Sequence, residues 1–393
     1  MIVLFWYLVG AVVFIAVGYG AALILLSGLV VSRRPKLPPP PLDVTLLIAA
    51  HNEEHCIAGK LRNALAQEIG PHRLSIVVVS DGSTDGTGDR ARSVAPDRVR
   101  VIDIRDHVGK IPALRRALRD ITGDVVVFSD ANSTFRPGAL AALLAPFGDD
   151  RVGGVCGAPA VRRSRRSWLA AGEHLYWHYD NRLKQAESAL GGVVSAQGSL
   201  YAVRRALVPD IPTAVADDFY ISTAVPAAGF RLAFAPDAIS EEAVAANVRR
   251  EFGRRVRSTE RGWRALLLRR GLLNPLRTGP YAVHLLFHKL LRRMVPVLLL
   301  ALLVVSALGA PGSPFLQVML VAQVLGYSLA IAVPFSPALR RVPGATIAFF
   351  VLETQAAMVL GLARVAMGRA SDRWTPVREA TGNGGARTNT SSR

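Results

Sequence analysis

LSIVVVSDGSTDGT, residues 74–87, passes from an apolar run rich in Val and Ile into a turn of Asp, Gly, Ser and Thr. The run has the composition of a buried β-strand. Ser83, Thr84 and Asp85 after it are the residue types that start a helix. Outward from this stretch the pattern repeats. Strands are expected at 44–49, 74–80, 99–104 and 124–128, with helices at 53–67, 84–94, 111–121 and 137–147. Strand and helix in alternation imply an α/β domain built on a parallel sheet with crossover helices. In such a sheet ligands bind at the carboxyl ends of the strands, so the polar residues after each strand come first.

The surrounding chain is different in kind. Of 393 residues 51% are hydrophobic and 19% charged, which excludes a disordered protein, and two cysteines, Cys56 and Cys156, exclude a disulfide scaffold. Residues 2–31 carry no charge and end in Ser32-Arg33-Arg34-Pro35-Lys36. They read as a retained membrane helix with its basic end in the cytoplasm. Further apolar segments at 295–308, 315–333 and 345–366 follow the soluble region, the first of them short unless its helix begins near Tyr281. The third carries Glu353, Thr354 and Gln355, which mark it as interfacial or functional. The expected organisation is a membrane helix at 1–32, a linker at 33–42, a cytoplasmic α/β domain at 43–263, interfacial helices at 264–294, membrane helices at 295–368 and a disordered tail at 369–393.

The formal charge of +18 is almost all arginine, since only five of the 47 basic residues are lysines. The arginines cluster at 162–166, 249–270 and 292–293, beside the apolar segments, which points to anionic lipid headgroups and not to nucleic acid.

After the first strand comes His51-Asn52-Glu53-Glu54, and after the second Asp81-Gly82-Ser83-Thr84-Asp85-Gly86-Thr87. Asp81 stands where a carboxylate can accept hydrogen bonds from a ribose or a nucleobase. A calcium loop is excluded, because the twelfth position from Asp81 is Arg92 where a bidentate Glu is needed. The fourth strand ends in Asp130-Ala131-Asn132, two oxygen ligands two residues apart that can hold a divalent cation against a diphosphate. Gly109-Lys110, at the start of a crossover helix, can meet phosphate. Asp217-Asp218 begins a later helix, where the residues can serve as N-terminal caps.

Taken together, Ala50-His51-Asn52-Glu53-Glu54, Ser80–Thr87, Asp130-Ala131-Asn132 and Ala216-Asp217-Asp218 resemble the motifs of family 2 glycosyltransferases with the GT-A nucleotide-sugar fold, the group of the cellulose, chitin and hyaluronan synthases. The resemblance spans roughly residues 43–270. It implies a membrane-bound inverting enzyme that moves a sugar from a nucleotide donor, by family default a UDP-sugar, to a membrane-associated glycan or lipid. It implies that Asp81 holds base or ribose with Asn52 and Glu54 beside it, that Asp130 and Asn132 hold Mg²⁺ or Mn²⁺, and that Asp218 is the base. Asn132 departs from the family's Asp-x-Asp. Gln197-Gly198-Ser199 resembles the acceptor-side segment. Arg257 retains the Arg of the processive synthases' Gln-x-x-Arg-Trp motif without its Gln or Trp, with Trp263 the nearest aromatic substitute. The competing reading is a non-catalytic nucleotide-sugar sensor or scaffold in a glycan-assembly complex at the inner membrane.

Overall fold

The computed structural model describes residues 1–30, 38–161, 170–242 and 248–368. The expected tail and the arginines at 162–166 fall outside them. Four parallel strands form one half of the sheet: β1 (Asp43–Ala50), β2 (Arg73–Asp81), β3 (Val99–Ile104) and β4 (Val125–Asp130). Each lies within a residue or two of its expected position. Four more complete an eight-stranded mixed sheet: β5 (Thr134–Phe135), β6 (Val152–Val161), β7 (Tyr201–Arg204) and β8 (Arg231–Glu242), in the order β3-β2-β1-β4-β7-β6-β8-β5. Here the parallel order breaks, because β7 pairs antiparallel with both β4 and β6.

The central strands are apolar throughout because both faces are covered. Leu47, Ala49, Val77 and Val79 point to one core, which holds Ile111 and Leu114 of α4 (Lys110–Arg119). Leu46, Ile48, Ile76 and Val78 point to the other, against Ile57 and Leu61 of α2 (Glu54–Leu65) and Leu140 and Leu143 of α5 (Ala139–Leu144). The second crossover helix, α3 (Thr87–Val94), lies between β2 and β3 in sequence and packs on α2. A two-residue side-chain period and a buried sheet account for the whole pattern.

Among the described residues four helices are long and apolar enough to cross a membrane: α1 (Ile2–Leu29), α9 (Pro280–Gly312), α10 (Pro314–Phe335) and α11 (Ala345–Ala366). The helix before the second expected span does begin at Pro280, so the border drawn at 294 falls inside a continuous helical run. The border drawn at 263 likewise falls inside α8 (Val248–Leu268). α6 (Ala170–Leu190) packs on α1, and α8 packs along α11. Arg255 of α8 lies 3.5 Å from Glu353, sits 4.3 Å over the Phe350 ring and donates to Thr354 Oγ1. The polar residues of α11 therefore face a charged helix of the catalytic domain.

Candidate active site

The carboxyl ends of β1, β2 and β4 converge, and their loops are tied to one another before any ligand is considered. Asn52 adopts φ +56°, and its amide oxygen accepts from the Thr84 backbone N–H at 2.8 Å. Glu54 accepts from Arg90 Nε at 2.8 Å and from the Gly86 N–H at 3.3 Å. Both residues thus brace the loop that follows β2.

Asp81 is fully buried. Its carboxylate accepts from the N–H groups of Val108 and Gly109, each at 2.9 Å, and lies 2.9 Å from His107 Nδ1. The Gly82 turn explains the glycine, because φ is +60° and a Cβ would stand 2.3 Å from the His107 backbone nitrogen. Across this loop the rings of His51 and His107 stack with centroids 3.9 Å apart. Asp81 therefore fixes residues 107–109, and with them the position from which Lys110 starts.

Lys110 Nζ lies 3.0 Å from Asp130 Oδ1 and 3.0 Å from Asp217 Oδ2. Burial alone would strip its charge, but the two carboxylates outweigh that and hold the ammonium well above its ordinary range. Burial likewise pushes Asp130 up, and Lys110 overrides it, so the carboxyl sits below its usual range. Asp217 and Asp218 open α7 (Asp217–Ser222). Asp218 Oδ1 accepts the Phe219 N–H at 2.7 Å, so part of the capping role is real. Burial and the neighbouring Asp217 raise the Asp218 carboxyl to about 6 against the pull of Lys110. A carboxylate in that range is both ionised at neutral pH and basic enough to take a hydroxyl proton.

The acceptor-side segment reaches the same point. A Cβ on Gly198 would lie 3.0 Å from Asp130 Oδ2, so the glycine keeps space open beside that oxygen. Gln197 Oε1 accepts from Lys184 Nζ at 2.9 Å, and Lys184 pairs with Asp180 at 2.8 Å. The Ser199 carbonyl accepts from Ser129 Oγ at 2.7 Å and Ser133 Oγ at 3.2 Å, binding this segment to both sides of the Asp130 turn. Asn132 is exposed on that turn. The Asp130 carboxylate, the Asn132 amide and the open space beside Gly198 make a hard-oxygen donor set suited to Mg²⁺ or Mn²⁺.

α8 packs beside the Asp217 turn. The Ala216 N–H donates to the Arg261 carbonyl at 3.3 Å, which seats α8 against the Asp217 turn. Arg257, about one helical turn before Arg261, is half-buried and makes no hydrogen bond or ion pair among the described residues. Burial and the neighbouring Arg261 and Arg254 depress it. Trp263 is not the aromatic platform considered above. Its ring is 8% exposed and belongs to the hydrophobic core, near the Arg293 guanidinium at 6.0 Å.

One residue escaped the sequence reading. Lys60 of α2 is 3% exposed and donates to Ser129 Oγ at 2.7 Å and Ser133 Oγ at 2.8 Å. Its signal was present: Lys60 shares the buried face of a helix with Ile57, Leu61 and Ala64.

A family model described as "Glycosyltransferase like family 2" matches residues 39–265. Among curated relatives, an N-acetylglucosaminyltransferase of Rhizobium meliloti is 27% identical over 218 residues, 51% of this chain and 51% of that protein. A β-monoglucosyldiacylglycerol synthase of Nostoc is 26% identical over 166 residues, 41% of this chain and 36% of that protein. The chain spans about half the length of the curated relatives it matches first. Among solved structures, the mannosyltransferase PcManGT of Pyrobaculum calidifontis, in complex with GDP-Man and Mn²⁺, superposes with a TM-score of 0.70 at 23% identity, covering 93% of this chain and 99% of that one. That likeness is one of fold, and it extends beyond the sheet to most of the chain.

Proposed function

This chain belongs to glycosyltransferase family 2, and from that premise we propose that it is an inverting, membrane-embedded enzyme that transfers a sugar from a nucleotide-diphosphate donor to a membrane-associated glycan or lipid. The observation that carries the reading is the meeting of Asp130, Lys110, Asp217 and Asp218 at the carboxyl ends of the sheet, with Lys110 3.0 Å from both Asp130 and Asp217. A structural ion pair needs neither a second carboxylate on Lys110 nor the raised proton affinity of the adjoining Asp218.

In the proposed reaction Asp218 takes the proton of the acceptor hydroxyl. The freed oxygen attacks the anomeric carbon from the face opposite the leaving group. The bond to the diphosphate oxygen breaks, and the configuration inverts. Lys110 and Arg257 are placed to balance the charge on the departing nucleoside diphosphate. Asp130 and Asn132 would hold Mg²⁺ or Mn²⁺, which when bound neutralises that diphosphate. Asn52, Glu54 and Asp81 shape the nucleotide side, while Gln197 and Gly198 border the acceptor side.

One relative's name gives N-acetylglucosamine as the sugar transferred, another's gives a glucosylated diacylglycerol as the product, and the solved neighbour holds GDP-Man and Mn²⁺. The donor panel therefore includes UDP- and GDP-sugars, although UDP remains the family default. The four apolar helices and the basic stretch after α1 support a multi-pass inner-membrane protein with its catalytic domain in the cytoplasm.

The test is nucleotide release by detergent-purified protein with each donor and Mg²⁺ or Mn²⁺, with membrane extract as acceptor, beside Asp218→Asn and Asp130→Ala. Release with one donor, lost in both variants, supports the reading. Donor binding without release, unchanged in Asp218→Asn, would assign the chain to the sensor class.

A further inference from the structure

Lys110 occupies the place where a cation is needed. Its ammonium lies 3.0 Å from Oδ1 of the Asp130 carboxylate, the group given the metal role above, and 3.0 Å from Asp217 Oδ2. A divalent ion bound to Asp130 would stand within a few ångström of that ammonium, and two positive charges so close repel strongly in a half-buried site. Lys110 on Oδ1 and a divalent ion on the same carboxylate therefore oppose each other, and added negative charge beside them relieves the repulsion.

The lysine is built to move while its root stays fixed. Gly109, with φ +99°, caps α4, and Asp81 clamps the N–H groups of Val108 and Gly109 at 2.9 Å each. The four-carbon stem beyond that root is flexible, and 18% of the Lys110 side chain is exposed. A nucleoside diphosphate supplies the missing charge and a new partner for the ammonium.

Resting on the metal role given to Asp130 above, we propose that Lys110 is a resident counter-cation: in the donor-free enzyme it holds the cation position between Asp130 and Asp217, so that the divalent metal enters only together with the nucleoside diphosphate. The diphosphate draws the ammonium off Asp130 and leaves that carboxylate to the metal. Lys110 is thus a gate on metal uptake as well as a phosphate contact.

Mn²⁺ binding to the full chain in detergent, followed by electron paramagnetic resonance, tests this without turnover. Wild-type protein should bind Mn²⁺ alone at least about tenfold more weakly than Mn²⁺ with UDP or GDP. Lys110→Met should tighten binding of Mn²⁺ alone about tenfold and narrow that gap, whereas Lys110→Arg should preserve it. Equal wild-type affinity with and without nucleotide overturns the gate, and this arm needs no variant to fold. Unchanged or weaker binding of Mn²⁺ alone by folded Lys110→Met overturns it as well. If wild-type protein binds no Mn²⁺ with either nucleotide, or Asp130→Ala binds it normally, the metal role of Asp130 fails first and the gate fails with it.

Discussion

The Lys60 ammonium lies 2.7 Å from the hydroxyl of Ser129, the residue before Asp130, in a site that leaves 3% of the lysine exposed. Its other contacts are the Ser133 hydroxyl at 2.8 Å and the face of Phe135 at 3.5 Å. Asp130 and Glu242 act on it only from longer range, and burial pushes the amine down to about 7. A charge buried among hydroxyls and a ring costs stability, so its value lies in where it holds Ser129 and Ser133.

Replacing it should therefore move stability and activity in opposite directions. Lys60→Met removes the buried amine and should raise the melting temperature at pH 7, while nucleotide release falls about tenfold or more as the Asp130 turn loses its anchor. The folded amine titrates below its ordinary value of 10.5, so between pH 7 and 10 the unfolded chain keeps a proton that the folded chain releases. Wild-type stability then rises with pH across that window, by at most about 1.4 kcal/mol per unit. Thermal scans at pH 7 and 9 should show the advantage of Lys60→Met shrinking at the higher pH. A constant advantage would mean that the amine is not perturbed.

Asp218 sets a second pH dependence. Burial and Asp217 raise its carboxyl to about 6, and a base must be ionised to work. The rate at saturating donor should fall as pH drops through about 6 and stay level above it. Asp217→Asn removes the repelling charge and should move that limb to lower pH. Asp218→Asn should cost about 10²–10⁴ in rate with donor affinity kept, the range for losing a positioned base. An acid limb that does not move in Asp217→Asn would separate the limb from this pair.

The strands β1, β2 and β4 could be read from the sequence because both their faces are buried, which writes a long apolar run in each, while β3 at the sheet edge shows as Val and Ile interrupted by the exposed Arg100 and Asp103. β6 could not. Gly153, Gly154, Gly157 and Pro159 break its composition, and the glycines are there because neighbours crowd them: a Cβ on Gly157 would meet the Ala238 carbonyl oxygen at 2.7 Å. Asp81 was legible as a residue of consequence, but not its engagement with Val108 and Gly109, because a hydrogen bond across 27 residues leaves no local pattern. The same holds for Asp217, whose partner Lys110 lies more than a hundred residues earlier. Motifs drew attention to these side chains, and the long-range pairings among them needed the fold.

Gly198 offers a geometric test of the space beside Asp130. An added Cβ would stand 3.0 Å from Asp130 Oδ2, closer than most real contacts, so the carboxylate must shift by a few tenths of an ångström. Gly198→Ala should leave the melting temperature nearly unchanged, since the strain falls on one side chain. It should weaken Mn²⁺ binding in the presence of nucleotide by about tenfold, as expected when a ligand oxygen is misplaced. Metal binding equal to wild type would show that Asp130 Oδ2 faces away from the cation.

The last prediction concerns how the catalytic domain is held to its apolar helices. Arg255 of α8 pairs with Glu251 at 2.9 Å on its own helix, and reaches Glu353 at 3.5 Å and the Phe350 ring at 4.3 Å on α11. Its side chain is 15% exposed and that of Glu353 10%, so this is a largely desolvated pair. Removing one member leaves the other charge without its cross-helix partner, which costs more than removing both. Arg255→Met should lower stability in detergent by roughly 2–4 kcal/mol and expose α8 to protease. The double variant Arg255→Met with Glu353→Met should recover at least half of that loss, because two apolar side chains can pack where the charges met. If the double variant is as unstable as the sum of the singles, Arg255 and Glu353 are independent, and α8 is held to α11 by packing alone.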